Sequence, residues 1–181
     1  MSAKVLKPLK LGYVGSWRTK ADERRRGKAT WKNIRRRILE RDNYTCVYCE
    51  YRDENAKQVN HIDGNPKNNA DDNLETICHE CEKINHSGFW AQVQGTLEVY
   101  QESKYNQNDI IRFTRELRQK GSTDEEIKVF LGLKNRVTWE EDLGYLSTLF
   151  GFISSRPFRS MSKPLLSEEE QKDRLGDRAN S

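Results

Sequence analysis

No run of apolar residues in this 181-residue chain is long enough to cross a bilayer as a helix. The N-terminus, MSAKVLKPLKLG, lacks the apolar core of a secretory signal. Together these absences point to a reducing, cytoplasmic compartment. No internal repeat is visible. Apolar residues are themselves scarce, 34% against 33% charged. That balance allows only a modest core and approaches the range in which chains stay unfolded without help. A bound metal is one source of such help. Cysteine is sparse too, but its four copies form two Cys-x-x-Cys pairs, Cys46 with Cys49 and Cys78 with Cys81. In a reducing compartment that arrangement favours a metal over disulfides, which are the minority alternative.

Charge is unevenly spread. Residues 1–45 hold fourteen Lys or Arg against four Asp or Glu, so this segment carries +10 of a net charge of +4 and the remainder carries −6. A basic arm on an acidic remainder suits a polyanionic partner, most simply double-stranded DNA; a solvated tail is the plainer alternative. Residues 1–29, with the cluster Arg24-Arg25-Arg26, read as a basic arm that orders only against a partner. Thr30 reads as an N-cap, followed by Trp31, Ile34 and Ile38 at helical spacing. Arg35, Arg36, Arg37 and Arg41 cover much of the rest of that helix, either as a solvated face or laid along phosphates.

From Tyr44 the expected order is knuckle, strand, loop, strand, knuckle, helix. Tyr44 to Cys49 forms the first knuckle, 58–62 a short strand, Asp63-Gly64-Asn65-Pro66 a turn into the polar loop 67–72, and 74–77 a second strand. A helix through Glu82 and Ile84 towards His86 follows, with Gly88 as its stop. Three further helices are expected: one capped by Asp109 and ended by Gly121, one opened by capping boxes from Ser122 or Thr123, and one opened by Thr138 and Glu141. The third would carry Trp139, Leu143, Leu146 and Phe150 on one face. Its acidic start, Glu140-Glu141-Asp142, argues against a helix-turn-helix reader and for packing or a protein partner. Residues 160–181 are polar, without pattern, and read as a disordered tail.

Four thiolates at this spacing can close a tetrahedral zinc site, which holds structure and leaves no position for substrate. His61 would then remain outside the zinc as a base near neutral pH, although a lone histidine is more often structural.

The stretch TWKNIRRRILERDNYTCVYC, then VNHIDGNPKNN, DDNLETICHEC and INHSG, resembles the HNH endonucleases over residues 30–90. The resemblance implies a zinc-stapled ββα-metal finger at 30–90 with its basic N-terminal helix, and says nothing of the rest; with the helical extension read at 91–159 and the tail at 160–181, the expected fold class is α+β. The resemblance implies that His61 is the general base and that Asn73 ties the loop to the strand and orients His61. It also implies a divalent ion, Mg²⁺ or Mn²⁺, held by Asn60 and Glu82, with His86 one turn on able to add a ligand. Both ligand positions depart from the commonest family pattern. Arg35, Arg36, Arg37, Arg41 and Lys67 would contact nucleic acid, and His79 would be a solvated residue. Such nucleases serve phages, mobile elements and defence alike.

Two readings follow. One is a metal-dependent DNA endonuclease. The other is an inactive zinc module of the same fold that binds DNA or a protein partner, the partner meeting the C-terminal helices. His61 and Asn73 favour the first, and Glu82 keeps the second open. Oligomeric state is left undetermined.

Overall fold

The computed structural model describes residues 6–12, 24, 28–55, 57–88, 90–91 and 95–155. Within them the protein is mixed α+β with two small antiparallel sheets. Arg25, Arg26 and the tail expected at 160–181 lie outside the described residues. The chain divides into two compact units. Of the described residues, one holds 24, 28–47, 51–55 and 57–78, and the other 6–12, 48–50, 79–88, 90–91 and 95–155.

The first unit begins with helix α1, Ala29–Arg41. Its N-cap is Lys28, without a side-chain cap, so Thr30 lies inside the first turn instead of capping it. Ile38 and Leu39 are buried, and Trp31 and Ile34 half-buried, which gives the helix its inner face. Asn43 and Tyr44 then take positive φ (49° and 52°), and the Tyr44 amide donates to Leu39 O at 2.8 Å, closing the helix. Strand β1, Lys57–His61, pairs antiparallel with β2, Leu74–Cys78, in the register His61↔Leu74 to Lys57↔Cys78. All five β2 residues are buried.

The end of α1 is fastened to this hairpin by polar groups. Arg41 donates to Asp71 O at 2.6 Å and to Leu74 O at 2.8 Å, and Asp42 accepts the Thr76 amide at 3.0 Å. Arg37 pairs with Asp71. Much of the expected basic face is therefore spent inside the unit.

In the second unit, α2, His79–Asn85, is followed by β3, Leu97–Glu102, α3, Gln107–Gln119, α4, Asp124–Leu131, β4, Lys134–Val137, α5, Leu143–Leu146, and β5, Phe150–Ile153. The sheet order is β4-β3-β5, antiparallel throughout. Tyr100, Ile110, Ile127, Leu131 and Phe152 form the core, flanked by Tyr105, Phe113, Leu117, Leu133 and Phe150. The Thr123–Glu126 capping box opens α4 as expected, and Gly132 at φ 65° ends it.

Several expectations are corrected here. The extension at 91–159 is not helical throughout: it contains the three-stranded sheet. The anticipated helix from Trp139 to Phe150 is a four-residue helix capped by Asp142, and Phe150 begins a strand. The period misled because Leu143, on the supposed inner face, is 50% exposed. Helix α3 is capped by Asn106, which accepts the Asp109 amide at 3.0 Å, so Asp109 is the capped residue and not the cap. Residues 6–12 do not await a partner. Leu9 and Leu11 are buried, Leu9 N donates to Asn108 Oδ1 at 2.9 Å, and Gly12 N donates to Ile84 O at 3.1 Å. A Cβ on Gly12 would lie 2.2 Å from Asn85 O, so only glycine fits that approach.

Candidate metal centre

Each cysteine is set by local backbone chemistry. The Cys46 amide donates to Tyr51 O at 3.1 Å and Thr45 bridges to Arg52, which folds the first knuckle back on itself. Glu50 takes φ 57° just after Cys49, completing the turn. Cys78 ends β2, and Cys81 stands on the third residue of α2. All four are buried, at most 4% exposed, and none is disulfide-bonded. Their sulfur atoms all lie within 4.8 Å of one another. A tetrahedral zinc with Zn–S bonds of about 2.3 Å places sulfurs about 3.8 Å apart, which falls inside that spacing. The donor set is soft and fully cysteine, so these residues could bind a metal such as zinc.

One contact is invisible from sequence spacing. Both terminal nitrogens of Arg115, on α3, lie 3.6 Å from Cys49 Sγ, and one of them is 3.3 Å from Glu80 Oε2.

Among the described residues, the cysteines are the one group of three or more His, Cys, Asp or Glu side chains that could converge on an ion. The expected catalytic Mg²⁺ or Mn²⁺ therefore has no such group behind it. Asn60, buried on β1, donates from Nδ2 to Glu75 Oε1, its cross-strand neighbour, at 3.1 Å. Glu82 is 6% exposed, its Oε2 has no hydrogen bond among the described residues, and His79 Nδ1 is 4.0 Å away. His86 follows α2, its amide donating to Glu82 O at 2.8 Å. His79 keeps a side chain 43% exposed and meets Trp90 edge-on at 5.3 Å.

His61 stacks almost parallel on Trp31, with ring centroids 5.3 Å apart and 16° between planes. Its Nε2 is 3.0 Å from Asn69 Oδ1. Asn73 pins the loop that follows β1. Its Oδ1 accepts the Asp63 amide at 3.1 Å, and its Nδ2 donates to Asp63 Oδ1 and Asn68 O, each at 2.9 Å. Partial burial pushes the Asp63 carboxyl upward, but donors from Asn68, Asn73 and the Asn65 amide, with attraction from His61, hold it below the usual carboxylate range.

The residues expected to meet nucleic acid divide in two. Arg37 and Arg41 are occupied within their unit, as described above. Arg36 is exposed, 3.3 Å from Asn33 Oδ1, Arg35 is half-buried, and Lys67 is exposed on the loop.

No family model matches the chain. Over 71 residues it is 35% identical to a type 4 apparatus protein, DotN, of Legionella pneumophila; the match covers 37% of this chain and 30% of that protein. This corrects the expected function. The motif led to a nuclease, a hydrolase acting on phosphodiesters, whereas the similar protein is named as part of a type 4 apparatus. A ββα-like order of elements with cysteine pairs is a scaffold, and a scaffold does not carry its chemistry with it. No helix among the described residues is long and apolar enough to cross a membrane.

Proposed function

We propose that this chain is a component of a type 4 apparatus, in which the four cysteines hold a structural zinc ion and the stapled finger offers a fixed surface to a protein partner. The observation that carries the reading is the convergence of four buried sulfurs in a chain 35% identical over 71 residues to a type 4 apparatus protein. A closed Cys₄ site has no open position for substrate, so its contribution is shape and folding energy. The hairpin followed by a helix, with a cysteine pair at each end, supports an HNH-like ββα form for the finger. The C-terminal half supplies exposed apolar side chains to a partner, Val129, Phe130 and Leu143 among them.

The test follows a tagged chain in its own host. Solubilised apparatus is fractionated by size, and the tag is tracked beside an established apparatus subunit. Co-migration that is lost on Cys46→Ser with Cys78→Ser is expected. A tag that runs as a lone chain, with an apparatus that assembles equally well after deletion of the gene, would overturn the reading.

A further inference from the structure

We propose that Arg115 is a positioning residue of the metal centre, a guanidinium that holds both cysteine knuckles and offsets the charge of the thiolates. This rests on the zinc reading above. Four thiolates around Zn²⁺ carry a net charge of −2, and such a charge in a buried site needs a partner. Arg115 is placed to be one. It stands on α3, 66 residues beyond Cys49, and approaches Cys49 Sγ with two nitrogens at 3.6 Å. One of those nitrogens also reaches Glu80 Oε2 at 3.3 Å. Glu80 lies between Cys78 and Cys81, so one planar fork touches the first knuckle by its sulfur and the second by its carboxylate. The Arg115 side chain is only 17% exposed, so this contact is little screened by water.

The donors also act on ligand chemistry. Both nitrogens donate towards Cys49 Sγ and place positive charge beside a sulfur that would carry negative charge as a ligand. Glu80 holds the fork in place and keeps the arginine from swinging to solvent. Partners of this outer kind typically change metal affinity by about 10–100-fold when removed. Helix α3 is thereby made sensitive to metal loading, through a residue whose position in sequence gives no hint of it.

Arg115 also lines a cavity of about 260 Å³ with Ile110, Ile111, Thr114 and Ile153. Methionine at 115 would keep an apolar stem along that wall while removing the charge and the donors. Wild type, Arg115→Met, Arg115→Lys and Glu80→Gln are loaded with Co²⁺ and then titrated with Zn²⁺ against a chelator of known affinity. The thiolate-to-cobalt charge-transfer band reports the ligand set.

Arg115→Met is expected to keep the four-thiolate spectrum and to bind zinc about 10–100-fold more weakly. Arg115→Lys, with charge but no fork, should fall between, and Glu80→Gln should weaken binding least. Zinc affinity within twofold of wild type for Arg115→Met would overturn the assignment. Equal weakening in Arg115→Lys and Arg115→Met would overturn the charge argument. A wild-type chain with no charge-transfer band and no zinc would instead overturn the metal reading itself, a separate outcome.

Discussion

The two units of this protein are held together by different means. The unit of residues 28–78 has a helix and a two-stranded hairpin, and much of its fastening is polar: Arg41 to two backbone carbonyls, Asp42 to the Thr76 amide, Asn73 across its loop. The unit built on β3 has a continuous apolar core of Tyr100, Ile110, Ile127, Leu131 and Phe152. A sheet of three strands with helices against it spreads apolar burial over more elements than a hairpin packed on one helix. Two of the four cysteines, Cys46 and Cys78, belong to the hairpin unit, and a metal held by them would add to its polar fastening.

Metal removal should expose that contrast most strongly. Structural zinc in small fingers contributes about 10–16 kcal/mol of apparent binding energy, which becomes folding energy. Stripping the metal with a chelator should collapse amide protection in β1 and β2 while β3, α3 and α4 keep theirs. Hydrogen exchange read by mass spectrometry checks this peptide by peptide. Uniform loss of protection across both units would break the comparison.

The converse experiment is Phe152→Ala, in a side chain with no exposed surface. A loss of about 3–5 kcal/mol is expected for the β3 unit. Metal content per chain should not change. Denaturant unfolding followed by circular dichroism gives the first quantity, and zinc analysis of the same samples the second.

A smaller effect is expected from Asn73→Ala. It removes three hydrogen bonds that pin the loop after β1, worth about 1–3 kcal/mol if Asp63 is left poorly paired. Thermal unfolding measured with metal in excess should show the loss in the hairpin unit and none in the β3 unit.

What the chain reveals before folding follows the same divide. The cysteine pairs, the turn at Asp63–Pro66 and the hairpin strands were legible to within a residue, because Cys-x-x-Cys and Asp–Gly chemistry act over a few positions. The Thr123 capping box was equally plain. The three-stranded sheet was not. Trp139, Leu143, Leu146 and Phe150 match a helical period by coincidence, and only pairing with a strand forty or more residues earlier decides against it. The match to an HNH motif was a match of spacing, and spacing says nothing of the stacking that holds His61 against Trp31. Arg115 had no signal at all: its role depends on a helix far from the knuckles in sequence.

Acid separates the two units by the smallest expected effect. Asp124 is pushed up by partial burial, but the Ser155 amide and hydroxyl and the Arg118 guanidinium outweigh that and hold its carboxyl below the usual value. Asp63 in the other unit is held low by its amide donors. A carboxylate lowered on folding contributes stability that is fully present above its unfolded pKa, about 4, and is lost as pH falls through the folded value. Asp124→Asn should therefore flatten the acid limb of the β3 unit below about pH 4 and leave neutral pH the less stable for it. Asp63→Asn should do the same for the hairpin unit, read by unfolding midpoints taken between neutral pH and pH 2. If the hairpin unit already fails well above pH 4, and does so equally with Asp63→Asn, then protonation of the thiolates with release of the metal governs its acid limit. The contrast between the two units would then extend to pH.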